Sequence, residues 1–335
     1  MASRADKSAR NTAPAKRAGS GLSIVVPLFN ESAGLAALHQ RLVAAVKSLK
    51  KSRGLSIEIV YVDDGSSDDT LKIARTLPAK GADLQIVSLS RNFGKEAALL
   101  AGLDYARHNA LLFMDGDGQH PPELIERLVK LWHVDGNDVV YTLKAHRANE
   151  TALHRFSVKL FYRLLNYRAR QPIPEDAGDF RLLSPRAAAA LKRMPERNRF
   201  FKGLSTWVGF RQVGVPYEPP ARKHGRSSWN FPALVGLSIE GLTAFSTTPL
   251  RLASLLGILL AASAFLFGIW ILAETFLIGR DVPGYPSVMV GIMVIGGAQL
   301  IVLGVLGEYI GKILSEMKAR PVYFVAEHER REASE

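Results

Sequence analysis

The stretch Ala-Leu-Leu-Phe-Met-Asp-Gly-Asp-Gly-Gln-His-Pro-Pro-Glu at residues 110–123 decides the fold. Leu111 to Met114 is a short apolar run, read as a buried strand that stops at two carboxylates. Asp115 and Asp117 flank a glycine, and the Pro-Pro pair after Gln119 and His120 can open a helix. Carboxylates this close repel each other unless a positive charge lies between them. A hard divalent cation with oxygen ligands is one natural partner, and nucleotide phosphates are its usual companions. Taken alone, the motif reads as a solvated acidic turn; the rest of the chain changes that reading.

Working outward, Leu22–Val26, Ile57–Val62, Leu84–Leu89 and Val139–Thr142 are further short aliphatic runs, as buried parallel strands require. Helix candidates lie between them at Ala33–Lys50, Asp69–Leu77, Lys95–His108 and Pro121–Val134. Alternation of this kind predicts an open α/β sheet, whose ligands bind beyond the carboxyl ends of the strands. The polar clusters fall there: Pro27 to Glu31, Asp63 to Asp68, and Ser90 to Gly94, beside the Asp115 motif. Asp63-Asp64-Gly65-Ser66-Ser67-Asp68 also makes a turn and helix cap, with Ser67 or Asp68 capping. Glu31 can simply complement a helix N-terminus, and Arg91 can be a surface cation. Phe29 packs under a ring or belongs to the core. Neither the Gly-x-Gly-x-x-Gly dinucleotide fingerprint nor a Gly-x-x-x-x-Gly-Lys-Ser/Thr loop is present, so the site is of another nucleotide-binding type.

The chain has 335 residues, no cysteine and a net charge of +12. Disulfides and thiolate metal sites are thereby excluded, and an anionic partner is expected. Residues 1–20 carry Arg4, Lys7, Arg10, Lys16 and Arg17 without an apolar core, and are expected to be a disordered basic tail near a membrane surface. Leu252 to Ala273 gives 22 residues without a formal charge, and Val282 to Gly307 gives 26. Both exceed the roughly 20 residues that cross a bilayer; two buried helices of a soluble domain would show more polar interruptions. The spans are placed at about 251–278 and 286–308 in a hairpin covering 249–311, joined by a short turn-rich linker. Arg222, Lys223, Arg226, Arg251, Lys312, Lys318 and Arg320 flank the hairpin, against Arg280 alone in the linker. The positive-inside rule then puts the α/β domain (21–230) and both termini in the cytoplasm, including a C-terminal tail at 312–335. Phe231, Leu234, Val235, Leu242 and Phe245 share one helical face, read as an interfacial amphipathic helix over 231–248 or as plain packing. Gly291, Gly296, Gly297, Gly304, Gly307 and Gly311 permit close helix contacts, hence an expected homo-oligomer.

Val-Pro-Leu-Phe-Asn-Glu (26–31), Val-Asp-Asp-Gly-Ser (62–66), Ser-Arg-Asn-Phe-Gly-Lys (90–95) and Met-Asp-Gly-Asp-Gly-Gln-His-Pro-Pro-Glu (114–123) resemble the inverting family 2 glycosyltransferases of GT-A fold. Gly-Asp-Phe-Arg-Leu-Leu-Ser (178–184), Arg-Asn-Arg-Phe-Phe-Lys-Gly (197–203) and the hairpin narrow the resemblance to the polyprenyl-phosphate branch, which includes bactoprenol glucosyltransferases and dolichyl-phosphate mannose synthases. The resemblance covers about residues 21–320.

The resemblance implies transfer of a hexose, with glucose the best match, from a nucleotide diphosphate sugar to polyprenyl phosphate at the cytoplasmic membrane. Mannose, GlcNAc or an aminoarabinose derivative on the same lipid is the alternative, as is a tethered nucleotide-sugar-binding protein without catalysis. It further implies a donor site of Pro27, Phe29, Glu31, Asp63, Asp64, Arg91, Lys95 and Asp115, with Mg2+ or Mn2+ held by Asp115, Asp117 and Gln119. Asp117, Asp179 and Arg181 are the implied catalytic group; Arg199, Arg222, Lys223, Arg226 and Ser227 are the implied phosphate binders. Ser228 stands where the family usually has lysine, so Arg226 or Lys223 must supply that charge or donor-phosphate binding differs. An ionised phosphate acceptor needs no strong base, so Asp179 is expected to orient groups rather than abstract a proton. The implied partners are the donor, the lipid acceptor and the bilayer, with a flippase and a downstream glycosyltransferase in cell-envelope or lipopolysaccharide modification, and no nucleic acid. A processive polysaccharide synthase would carry Gln-x-x-Arg-Trp, which is missing.

Overall fold

The computed structural model describes residues 21–144, 159, 162–163, 166, 172–174, 177–197, 199–218, 248–278 and 284–334. Eight strands form one sheet: β1 (Leu22–Leu28), β2 (Ile57–Asp63), β3 (Asp83–Leu89), β4 (Ala110–Phe113), β5 (Val139–Lys144), β6 (Ala177–Leu183), β7 (Gln212–Tyr217) and β8 (Val325–Arg331). The helices are α1 (Leu35–Arg53), α2 (Thr70–Thr76), α3 (Lys95–Tyr105), α4 (Ile125–His133), α5 (Pro185–Lys192), α6 (Phe201–Trp207), α7 (Thr248–Ile278) and α8 (Tyr285–Met317).

The sheet order is β7-β5-β6-β4-β1-β2-β3-β8. β4, β1, β2 and β3 are mutually parallel neighbours, while β6 runs antiparallel between β4 and β5, and β8 antiparallel beside β3. Alternating strand residues fill two separate cores, as a sheet covered on both faces requires. Leu22, Ile24, Val26 and Leu28 face α1 and α4; Val25, Val60, Val62 and Phe113 face α3, α5 and α6. Leu35, Leu38, Leu42, Val46 and Leu49 recur at helical spacing and make the buried stripe of α1. Each fully buried leucine there stabilises by about 2 kcal/mol. Lys50, Lys51 and Arg53 oppose the carbonyl end of α1, and Gly54 at φ 65° closes it. The mixed sheet flanked by helices, followed by two long apolar helices, is the expected fold class.

Of the two capping residues expected before α2, Asp68 is the one whose side chain takes a helical N–H. Asp69 is the N-cap and its side chain makes no capping bond. Asp68 instead accepts the Thr70 N–H at 3.0 Å and the Ser32 N–H at 3.2 Å, tying the loop after β2 to the loop after β1.

The stretch read as a C-terminal tail also has a different place. α8 continues to Met317, and Val325–Arg331 pairs with β3, Leu84 opposite Arg331. The segment is rich in charge, Ala-Glu-His-Glu-Arg-Arg at 326–331, and an edge strand tolerates charges where it meets water. Arg75 meets Glu327 and Glu329 across this edge, and His328 Nε2 lies 2.9 Å from Gln85 Oε1.

α7 and α8 contain segments long and apolar enough to cross a bilayer, Thr248–Ile271 and Ser287–Met317. Their large apolar side chains are exposed along their length, for example Phe265, Leu266, Trp270, Ile292, Leu300 and Ile313. So much apolar surface needs lipid or protein over it. The expected interfacial helix, apart from Thr248, and the basic residues 1–20 lie outside the described residues.

Candidate active site at the carboxyl rim of the sheet

Four parallel strands deliver their clusters to one rim: Phe29 to Glu31 after β1, Asp64 to Asp68 after β2, Ser90 to Gly94 after β3 and Asp115 to His120 after β4. β6 adds a fifth contribution that the strand pattern did not anticipate. It pairs Leu111 with Leu183, Leu112 with Leu182 and Phe113 with Arg181. Continuing that antiparallel register past the end of β4 brings Asp179 level with Asp115.

Lys95, the first residue of α3, answers this carboxylate pair. Its Nζ lies 2.7 Å from Asp115 Oδ1 and 2.6 Å from Asp179 Oδ2. Burial works to lower the Lys95 ammonium, but Asp179 and Asp115 outweigh it and raise it well above an ordinary lysine. Burial likewise works to raise the Asp179 carboxyl, yet Lys95, Lys202 and Arg181 hold it far below the usual carboxylate range. The side chains are not sealed off, since Lys95 and Asp179 remain 41 % and 35 % accessible. The cation is therefore an internal one, shared between two carboxylates at the edge of solvent.

His120 orients Asp115 from beneath. The Asp115 N–H donates to His120 Nδ1 at 2.9 Å, so the ring carries its proton on Nε2, which faces Asp115 Oδ2 at 3.9 Å. Burial lowers His120 and keeps the ring neutral; it stacks on Phe180 with centroids 5.1 Å apart. The Gln119 N–H closes onto Asp117 Oδ1 at 3.0 Å, and Gly118 takes φ 74° in that turn. Asp117 and Gln119 thus sit on one tight turn, half-buried at the rim.

The side of the rim at the ends of β2 and β3 is built around Asp64. Its two oxygens accept the Phe93 N–H at 2.8 Å and the Gly94 N–H at 2.9 Å, so it fastens the loop after β3. Burial raises both Asp64 and Asp63 despite hydrogen bonds that favour their ionised forms. Gly65 at φ 67° lies under the same loop: a Cβ there would come within 2.5 Å of the Arg91 backbone. Arg91 lies over the Phe93 ring at 4.0 Å, and Phe29 is 47 % exposed on the facing loop. Asn30, at φ 56°, takes the Ser67 N–H on its side chain, and the Glu31 N–H donates to Thr70 Oγ1. Pro27 lies in β1 beyond the last β4 pairing, where its missing N–H costs no ladder bond.

Two expected functional arginines have structural partners. Arg181, only 1 % exposed, donates to the Gly178 carbonyl at 2.7 Å, to the Lys202 carbonyl and to Ser205 Oγ. It braces α6 behind Asp179 instead of opening onto the rim. Arg199 turns back onto the Glu196 and Met194 carbonyls of its own loop. Arg222, Lys223, Arg226 and Ser227 lie outside the described residues.

Sequence reasoning assigned no role to Glu96, which the fold places beside Asp179 with its Oε2 accepting the Phe201 N–H at 2.8 Å. Burial and then the Asp179 charge push it up to about 7. Its unfolded value near 4.5 is lower, so the folded protein holds the extra proton between these limits. Stability then falls as pH rises from about 4.5 to 7 and levels off above. Glu96→Gln keeps an acceptor for Phe201 and removes the titration. Its unfolding temperature is expected to drop less than the wild type's between pH 5 and pH 8; parallel profiles for the two proteins would refute this.

Glycosyl transferase family 2 is the family model that matches, over residues 23–191. The chain belongs to this family. The matched part of the family 2 domain runs from β1 to the end of α5, so it holds the Lys95–Asp115–Asp179 cluster and the Asp117–Gln119 turn. The SfII prophage-derived bactoprenol glucosyl transferase of Shigella flexneri is 40 % identical over 309 residues, 92 % of this chain and 98 % of that protein. An uncharacterised glycosyltransferase of Synechocystis is 42 % identical over 306 residues, 91 % of this chain and 95 % of its own. The prophage bactoprenol glucosyl transferase homolog of Escherichia coli is 39 % identical over 304 residues, covering 91 % and 98 %. Among solved structures, Mycobacterium tuberculosis glucosyl-3-phosphoglycerate synthase with Mn2+, UDP and product aligns over 72 % of this chain and 81 % of its own, at 20 % identity and a TM-score of 0.44. No chemical assignment rests on that last likeness.

Proposed function

We propose that this family 2 glycosyltransferase moves glucose from a UDP-sugar to polyprenyl phosphate, with inversion, at the cytoplasmic face of the membrane. The observation that carries the reading is the Lys95-bridged Asp115–Asp179 pair beside the Asp117–Gln119 turn, in a chain with two exposed apolar helices. The names of the curated relatives favour a bactoprenol acceptor and a glucosyl donor.

On this reading Phe29 and Arg91 flank the nucleobase, Asp64 holds the loop that shapes its pocket, and Pro27, Glu31 and Asp63 line the approach. The donor set at the turn is all oxygen, which suits Mg2+ or Mn2+. Among the described residues no three His, Cys, Asp or Glu side chains converge into a cage. Asp117 and Gln119 would therefore hold the ion with diphosphate and water completing its shell, while Asp115 stays with Lys95. When bound, such an ion neutralises charge on a departing diphosphate.

The rest is the work of the chain's own groups. Lys95 cancels carboxylate charge on the rim that an anionic acceptor has to approach. Asp179, held well below the usual carboxylate range, is a poor proton acceptor at neutral pH, and an ionised lipid phosphate needs none. Its part is to fix Lys95 and, through Arg181 at its back, the loop that leads into α6. Full-length protein, UDP-glucose, undecaprenyl phosphate and Mg2+ or Mn2+ should yield a lipid-linked glucose and UDP. Transfer to that lipid from GDP-mannose or another donor alone would replace glucose; polymer formed without the lipid would overturn the reading.

A further inference from the structure

We infer that the cleft where α8 leaves the apolar span is a binding site for the headgroup phosphate of an anionic phospholipid of the surrounding bilayer. The inference rests on the membrane placement of α7 and α8, not on the transfer reaction. The cleft has a volume of about 370 Å³ and is lined by Arg197, Leu314, Ser315, Lys318, Arg320 and Val322. Three cations therefore surround it, and its apolar wall is the last turn of a helix whose apolar stretch ends at Met317. That is the depth at which lipid phosphates lie beside a span.

The backbone builds the cleft. Ala319 takes φ 51°, a left-handed conformation that is strained for a residue with a Cβ, just past the end of α8. The chain thereby folds back so that the Arg320 carbonyl accepts a hydrogen bond from the Arg197 guanidinium. Glu316 is turned onto the Arg197 backbone N–H, at 2.9 and 3.2 Å from its two oxygens. Lys318 and Arg320 side chains make no hydrogen bond or ion pair among the described residues. Two charges left unpaired at headgroup depth, over a strained turn, match a phosphate with its acyl chains lying along α8.

The chain that leaves the cleft passes against the loop after β3. Beyond Val322, the Phe324 carbonyl accepts the Ser90 N–H at 2.9 Å, and the Phe324 ring lies 6.3 Å from Phe93 in the loop that Asp64 holds.

The test uses delipidated full-length protein in neutral detergent, titrated with phosphatidylglycerol or phosphatidylcholine and read by native mass spectrometry. Phosphatidylglycerol is expected to bind at least about tenfold more tightly than phosphatidylcholine. K318Q/R320Q should lose that preference, with each single variant intermediate, while UDP binding stays at the wild-type level as a check on folding. Equal affinity for the two lipids, or a double variant that binds like the wild type, overturns the proposal. So does displacement of bound phosphatidylglycerol by millimolar inorganic phosphate, which marks a free-anion site. Displacement by equimolar polyprenyl phosphate makes the cleft an acceptor subsite and overturns it as well. Loss of sugar transfer with lipid binding intact would count against the proposed function and leave this inference standing.

Discussion

Asp117→Asn is expected to lower the rate of lipid-linked sugar formation by about 10³-fold, the scale of losing a main electrostatic group at a reacting centre. Asparagine keeps an oxygen to accept the Gln119 N–H, so the turn survives and only the charge is lost. The unfolding temperature should therefore match the wild type, and the loss should fall on kcat and on metal-dependent UDP binding together. Asp179→Asn is the comparison that separates roles. A carboxyl held so far below its usual range is a weak base, so its removal should cost about 10- to 100-fold and leave UDP binding unchanged. Transfer by Asp117→Asn within tenfold of the wild type would refute the assignment of that turn. A loss on Asp179→Asn as deep as on Asp117→Asn would make Asp179 a base after all.

Lys95→Met should be nearly as damaging, by about 10²-fold in kcat, and should carry a distinct pH signature. In the wild type the depressed Asp179 contributes stability above the unfolded carboxylate value, and that contribution is lost as pH falls through the folded value. Methionine fills a similar volume but leaves Asp115 and Asp179 facing each other without the cation. One carboxyl of the pair must then be raised, which reverses the sign: stability now falls as pH rises above the unfolded carboxylate range. Thermal unfolding between pH 5 and pH 8 should therefore show the variant losing ground to the wild type as pH increases. Lys95→Arg, which keeps the charge in a bulkier fork, should restore the stability profile and only part of kcat. A methionine variant with the wild-type profile would show that the bridge carries no electrostatic weight.

How far the site could be read in advance differs from residue to residue. Asp115, Asp117, Gln119, Asp64 and Phe29 were legible because each follows a short apolar strand, and parallel strands of one sheet share a carboxyl rim. Lys95 was named with them, but as a contact for the donor; its hold on two carboxylates depends on β6, which lies some eighty residues along the chain. Arg181 illustrates the opposite case. Its place two residues after Asp179 on one strand suggested a shared catalytic role, and the period of two does put both on the same face of β6; but Arg181 sits deeper along the strand, beneath α6, where the Gly178 and Lys202 carbonyls take its guanidinium. Glu96 gave no local signal, because its burial comes from packing at α6 and its raised titration from the charge of Asp179.

The sequence by itself determined the class of the fold, the rim on which ligands gather and the two apolar helices. These follow from local patterns: strands of four to seven apolar residues, helices between them, and charge-free stretches longer than a bilayer is thick. Only the tertiary structure decided that β6 runs antiparallel beside β4 and sets Asp179 opposite Asp115, that Lys95 fills the gap, and that the charged residues Val325–Arg331 complete the sheet beside β3. Each of those is a pairing between segments far apart in the chain. Its energy depends on which groups meet across space, and no window of sequence contains both partners.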